Sequence, residues 1–314
     1  MKPSDGYIKC IINPKSGASS GKFVCRRFCR HLNQRGYDVR IATSRSLEHV
    51  CELATDAAVD PDCALVVVAG GDGTIREAAH GMEGSAKPLL IVPCGTENLL
   101  ANELGFDRWL ETLVRTFEGG LTRPLDLGTA NGKCFTSIVG FGFDGDVVGR
   151  VHRRRTGHIN HFDYVHPLWR TFWEHRFDPM TVVVDGREVF AGPGMVFVGN
   201  ISRYAIGLQI LRHADFSDGW LDVCIYRCAG RIHLAKHSVL TVLKQHARCR
   251  DVIYTQGRHI TVSSLAPAIR TEMDGDPGPS LPVHIEVLPG AVQCLVPPGA
   301  KPAGIRTRIA RSFR

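Results

Sequence analysis

Residues 64–81, ALVVVAGGDGTIREAAHG, constrain this chain most, because an apolar strand runs without a linker into Gly70-Gly71-Asp72-Gly73-Thr74 and then into a helix. Glycines let a backbone approach an anion closely, and the N–H groups at a helix N-terminus supply positive potential. An aspartate among those glycines suits a metal-bound triphosphate. A plain strand-to-helix turn would need only one or two of the glycines, and the run is more specific than a lone GxGxxG.

The same rhythm extends on both sides. Strand patterns at 7–12, 37–43, 64–69 and 88–92 alternate with helical periodicity at 21–34, 47–58, 75–82, 98–104 and 108–117. This predicts an α/β N-terminal domain with a mostly parallel sheet over residues 1–127. From there the pattern changes to short β-like runs at 133–139, 180–184, 195–199, 221–227, 259–263 and 283–288, with turns at Asp185-Gly186 and Asp218-Gly219. A β-rich second domain over 128–298 is expected, interrupted by helices at 161–175 and 232–246. A basic tail follows at 299–314.

No run of about 18 apolar residues is present, and the opening MKPSDGYIKCIINP lacks the pattern of a signal peptide, so the expected location is the cytoplasm. Eleven cysteines are scattered without matched CxxC pairs; Cys25 and Cys29 fall on one helical face with Val24, Phe28 and Leu32. Reduced, packed thiols and no zinc are expected. The net charge of +7 concentrates at RVHRRR (150–155) and in the tail. Such runs are usually solvated faces; where functional, they attract nucleic acid or an anionic membrane, and charge alone does not separate the two.

Two further loops would share the crevice beyond the strands' carboxyl ends. Asn13-Pro14-Lys15-Ser16-Gly17 follows the first strand, where Lys15 offers charge and Ser16 a hydroxyl; alone it would read as an ordinary Pro-Gly turn. Pro93-Cys94-Gly95-Thr96-Glu97-Asn98 follows the fourth, where Thr96 and Asn98 can contact a nucleotide or cap the next helix.

NPKSG, GGDGTxxE with Glu77, and PCGTEN, in this order and spacing, resemble the diacylglycerol kinase catalytic-domain family, which includes bacterial lipid kinases and sphingosine kinases. FTSIVGFGFDG (135–145), ADFSDGWLDV (214–223) and RTEMDGD (270–276) extend the resemblance over roughly residues 7–290. It implies a sandwich-like second domain and a site in the cleft between the two. It further implies that ATP is lined by Asn13, Lys15, Ser16, Gly17, Thr43, Gly70, Gly71, Asp72, Gly73, Thr74, Glu77, Thr96 and Asn98, with Asp72 working with nucleotide-bound Mg²⁺. Asp274 or Asp276 would take the acceptor's proton. Asp215, Asp218 and the Trp220 carbonyl would hold a structural Mg²⁺, joined by Asp126 through water; a turn lacking any ion is the plainer alternative. An Asp-Gly turn capped by Asp276 is the corresponding alternative for the last motif.

Two look-alikes fail. GASSGK (17–22) has three residues between its glycines and Phe23 where a Walker loop has Ser or Thr. GFGFDG (140–145) fits GxGxxG but lacks a βαβ unit. The chain departs from the family at Leu99, where many members carry Asp, and at SRYAIGLQ (202–209), which has fewer glycines. The expected function is an ATP-dependent lipid kinase acting on a diacylglycerol-like or sphingoid hydroxyl, bound peripherally to an anionic membrane and not to nucleic acid, with a homodimer left open. The competing readings are an NAD kinase-like enzyme and a non-catalytic nucleotide-binding regulator. Membrane contacts are expected from Arg150–Arg155, the tail and the aromatics Phe162, Tyr164, Trp169, Phe172 and Trp173, with core packing as the alternative for the aromatics.

Overall fold

Strands that are apolar without alternation need cover on both faces, and the first half of the chain supplies it with helices. The computed structural model, which describes residues 2, 5–17, 19–153, 162–266 and 269–300, begins with β1 (Tyr7–Ile12), α1 (Ser19–Gln34), β2 (Val39–Thr43), α2 (Leu47–Val59) and β3 (Cys63–Gly70). It continues with α3 (Asp72–Gly81), β4 (Pro88–Pro93), α4 (Leu99–Glu103) and α5 (Leu110–Gly119). β4, β3, β1 and β2 lie side by side in that order, all parallel. β3 is paired on both edges and buried from Leu65 to Gly70. α1 lays Cys25, Phe28, Cys29 and Leu32, a helical stripe, into this core. The Cys10 sulfur contacts those of Cys25 and Cys29 at 3.5 and 3.4 Å, and all three thiols are buried.

The second half comprises β5 (Thr122–Ala130), β6 (Lys133–Phe135), β7 (Ile138–Phe141), α6 (Phe143–Arg153), α7 (Phe162–Glu174), β8 (Pro179–Val184), β9 (Arg187–Gly199) and β10 (Leu221–Arg227). After these come α8 (Arg231–Val242), β11 (Val252–Gly257), β12 (His259–Ser263), β13 (Thr271–Met273), β14 (Asp276–Pro277) and β15 (Val283–Leu295). Two layers form, one ordered β14-β13-β7-β9-β10-β11, the other built from β9, β8, β12, β15, β5 and β6. β9 serves both, pairing with β8 through Arg187–Pro193 and with β10 through Gly194–Gly199. Val139, Phe141, Val196 and Val198 belong to one core with Val182, Ile260, Val262 and Ile285. This is an α/β domain with a largely parallel sheet joined to a β-rich sandwich-like domain.

The sequence reading did not include β5 or β11 and began β9 at 195 rather than Arg187; two further elements differ. The strand expected to stop at 288 continues to Leu295 across a bulge between Leu288 and Val292, where Gly290 takes φ +60°. Past the bulge, β15 runs parallel to β4, with Gln293 opposite Pro88 and Cys294 opposite Leu89, and Val292, Cys294, Leu295 and Val296 enter the first core. Residues 143–153 form a helix where glycine-rich sequence gave no helical signal. Gly145 makes this packing feasible, since a Cβ there would stand 2.2 Å from the Arg270 carbonyl.

Of the expected membrane contacts, Trp169 and Trp173 are 65% and 49% exposed, whereas Phe172 packs against a core. Arg154, Arg155, the tail at 301–314 and the side chains of Phe162 and Tyr164 lie outside the described residues. Among the described residues no helix is long and apolar enough to cross a membrane.

Candidate active site

The carboxyl ends of β1, β3 and β4 bring the three glycine-bearing loops into backbone contact. Gly17 takes φ +39°, and a Cβ there would lie 1.8 Å from the Cys94 carbonyl; one on Gly95 would lie 2.7 Å from Gly71 Cα. Side chains tie the loops further: Asn13 Nδ2 donates to Thr74 Oγ1 at 2.8 Å, Ser16 Oγ lies 3.1 Å from that hydroxyl, and Gly71 N donates to Ser16 Oγ at 3.3 Å. Lys15 and Thr96 are exposed, and Thr43 ends β2, opposite Ile12. Asn98 is buried with φ 50°; its Oδ1 accepts Gly95 N at 2.6 Å and its Nδ2 donates to the Gly95 carbonyl at 2.9 Å. Its amide holds the loop's shape and makes no cap to α4.

Asp72, the first residue of α3, is where the N-terminal loops meet the last motif. Burial raises its carboxyl to a pKa of about 6, the charge of Asp274 adds to the rise, and the N–H groups of Leu99, Leu100 and Asn98 oppose it. One of its oxygens, Oδ1, is buried with no hydrogen-bond partner. Four residues on, and so on the same helical face, Arg76 is buried; its Nε donates to Glu77 Oε1 at 3.1 Å, and its Nη1 stands 3.5 Å from Asp276 Oδ2. Burial works against the Arg76 charge, but Asp274, Asp276 and Glu77 raise its pKa overall. Nη1 makes no hydrogen bond. The sequence reading missed Arg76, although its i, i+4 spacing from Asp72 was visible.

Asp274 takes φ 51° and is saturated with donors: Oδ2 accepts Thr136 N at 2.9 Å and Thr136 Oγ1 at 3.2 Å, and Oδ1 accepts Ser137 N at 2.9 Å and Ile138 N at 3.1 Å. Burial raises its pKa, while Arg76 and those N–H groups hold it down. Asp276 is different: its side chain is 35% exposed. Two carboxylates of the β13–β14 turn, a guanidinium and an aspartate from α3 thus stand close together beside the three glycine-bearing loops.

The acidic turn lies elsewhere. Asp126 is 1% exposed; its Oδ2 accepts Gly219 N at 2.6 Å and its Oδ1 accepts Gly290 N at 2.7 Å. Asp215 Oδ1 accepts from Ser217 N at 3.1 Å and Ser217 Oγ at 2.9 Å, and Asp218 Oδ1 accepts Trp220 N at 3.0 Å. Burial raises the Asp218 pKa to about 6, with Asp222, Asp215 and Asp126 adding to it. Arg258 sits 4.7 Å over the Trp220 ring. Among the described residues, the group of three ligand-type side chains drawn within 4.8 Å is Cys10, Cys25 and Cys29, not these carboxylates.

Comparison with known proteins follows the same two-part division. Residues 8–130 match the diacylglycerol kinase catalytic domain, and residues 137–296 match the YegS C-terminal NAD kinase beta sandwich-like domain. A diacylglycerol kinase of Mycobacterium tuberculosis is 30% identical over 299 residues, covering 93% of this chain and 96% of the relative. One from Bacillus subtilis is 25% identical over 280 residues, covering 87% and 91%. A crystal structure of a diacylglycerol kinase from Bacillus anthracis superposes with a TM-score of 0.70 at 19% identity, covering 94% of this chain and 98% of the other, which speaks to the fold.

Proposed function

The chain belongs to the diacylglycerol kinase family, and on that premise we propose that it is an ATP-dependent lipid kinase, transferring the γ-phosphate to the hydroxyl of a diacylglycerol-like or sphingoid lipid. The observation that carries this reading is a pair of buried atoms without a hydrogen bond, Asp72 Oδ1 and Arg76 Nη1, the latter paired in charge with Asp276 at 3.5 Å. An orphaned carboxylate oxygen beside a second carboxylate fits a divalent cation, and an orphaned guanidinium N–H fits a phosphate oxygen. Mg²⁺ held at Asp72 would neutralise charge on the nucleotide's phosphates.

The rest of the work falls to the chain's own residues. The contacting glycines of the first, second and third loops let the triphosphate lie against backbone N–H groups, with Lys15, Ser16, Thr43, Thr74 and Thr96 around it. Arg76 would meet the γ-phosphate as charge shifts on transfer. The acceptor oxygen attacks phosphorus, the bond to the β-phosphate oxygen breaks, ADP leaves, and the hydroxyl proton passes to a carboxylate. We assign that proton to Asp276, because both oxygens of Asp274 already accept two donors each. Asp274 then anchors the turn that presents Asp276.

Peripheral attachment to an anionic membrane is supported by exposed Leu168, Trp169 and Trp173 on α7, beside a notch of about 120 Å³ lined by Arg150, Arg153, His166, Pro167 and Arg170. Arg153→Glu with Arg170→Glu is expected to weaken binding to phosphatidylglycerol vesicles at least about tenfold; unchanged binding would remove this surface. The functional test is transfer of label from γ-labelled ATP with Mg²⁺ to a mixed lipid extract in micelles, with NAD offered beside it. Label in the organic phase is expected. Label on NAD alone would make the protein an NAD kinase-like enzyme, and ATP binding without transfer a nucleotide-binding regulator.

A further inference from the structure

Two buried carboxyl groups beneath the Asp274-Gly275-Asp276 turn have no part in the transfer just described. Glu272 on β13 is 0% exposed, and Asp144 in the first turn of α6 is half-buried, with its Oδ2 shielded from solvent. One oxygen of each is spoken for: Glu272 Oε2 accepts Gly275 N at 2.9 Å, and Asp144 Oδ1 accepts the Tyr204 hydroxyl. The remaining two, Glu272 Oε1 and Asp144 Oδ2, are buried with no donor from any other group. They face the same point. Gly140, paired with Glu272 across β7 and β13, leaves that space open, since a Cβ on it would lie 2.4 Å from Asp144 Oδ2 and 2.9 Å from Glu272 Oε1.

Two bare carboxylate oxygens cannot face each other in a dry site at a tolerable cost, whereas an acid and a carboxylate make a strong hydrogen bond. We infer that Glu272 and Asp144 share one proton, and that this bond positions the Asp274–Asp276 turn against the loop bearing Tyr204. Burial raises the Glu272 pKa well above the carboxylate range, with the Asp144 charge adding to it, and burial raises Asp144 too. Nearby charges are otherwise matched: Asp274 faces Arg76, and Asp146 contacts His175 at 2.8 Å and Arg270 at 3.7 Å. The Tyr204 loop also reaches the third nucleotide loop and α4, where Ile206 N donates to Glu97 Oε2 at 3.3 Å and Ser202 Oγ donates to Glu103 at 2.9 Å. A rigid path therefore runs from the third nucleotide loop and α4 through Tyr204, Asp144 and Glu272 to the Gly275 amide.

The consequence for turnover rests on the lipid-kinase reading; the shared proton does not. Difference infrared spectra of the whole protein at neutral pH are expected to contain the carbonyl band of a protonated carboxyl that disappears in both Glu272→Gln and Asp144→Asn, where an amide N–H replaces the proton. Glu272→Leu, similar in volume but without the bonds, is expected to speed hydrogen exchange at the Gly275 amide and lower kcat, each by at least about tenfold, with KM for ATP changed less than about twofold. Glu272→Gln should stay within about threefold of the parent in both. Absence of the band in the parent protein overturns the proposal, as does Gly275 exchange in folded Glu272→Leu at the parent's rate. If that variant does not fold, the band and its loss in the two amide variants decide. A parent protein with the band and slow Gly275 exchange that transfers no phosphate would instead overturn the kinase reading alone.

Discussion

The molecule contains two clusters of aspartates, and they are held together by different means. Around Asp72, Asp274 and Asp276 a guanidinium stands among the carboxylates, and two buried atoms make no hydrogen bond. Around Asp126, Asp215 and Asp218 the hydrogen bonds close on the protein itself, through the N–H groups of Gly219, Gly290, Ser217 and Trp220. Yet Asp72 and Asp218 are both raised to about 6, each chiefly by burial. A displaced pKa therefore does not set the two clusters apart; the carboxylate and guanidinium atoms left without a hydrogen bond do.

Substitutions can break that contrast. The largest effect is expected at the first cluster: Asp276→Asn and Arg76→Met should each lower kcat by about 10³-fold or more, with ATP affinity changed less than about threefold and melting temperature little altered. Asp274→Asn should also lose stability, because four donors surround its carboxylate. Loss of turnover at Asp274 with none at Asp276 would exchange the two roles.

At the second cluster the expected loss is of fold. Asp126→Ala strands the N–H groups of Gly219 and Gly290, at a cost of about 3 kcal/mol by denaturant titration. If it costs nothing, the cluster is not the closed structure described above. Asp218→Asn keeps an acceptor for Trp220 N while removing a repelled charge, and should add about 1 kcal/mol at neutral pH after solvent screening. Any rise in melting temperature caused by Mg²⁺ should survive Asp218→Asn and vanish in Asp72→Asn; the reverse would move the cation to the acidic turn.

The smallest effect is the pH dependence the two clusters share. Asp72 and Asp218 move from an ordinary value of 3.8 to about 6 on folding, so between these values the folded chain binds more protons than the unfolded one. Stability contributed by these groups is present below about pH 4 and is lost as pH rises through about 6. In metal-free buffer, Asp72→Asn should flatten that decline by about half of these two groups' share, since each displaced group contributes comparably. An unchanged slope in melts from pH 4 to 7 would contradict the environment assigned to Asp72.

The three glycine-bearing loops were legible because each is local, a segment directly after an apolar strand, and order along the chain places them at one sheet edge. Arg76 was not, because its meaning comes from Asp274 and Asp276, which arrive from the far end of the chain. The bulge in β15 hid behind Pro289-Gly290, which reads as a terminator until Asp126 is seen accepting the Gly290 N–H. Glu272 was not singled out within the RTEMDGD motif; only its register opposite Gly140 brings it into view.

β15 also sets the order in which the molecule can be finished. As the chain leaves the ribosome, β1 to β4 emerge first of the strands, but the hydrophobic positions that Val292, Cys294, Leu295 and Val296 fill stay open until β5 to β14 have been made. Pairing between β4 and β15 spans some two hundred residues, the kind of contact that forms late and slowly. The glycine-bearing loops at the ends of β1, β3 and β4 gain their last supporting strand only then, so the nascent N-terminal half carries uncovered apolar surface until β15 arrives.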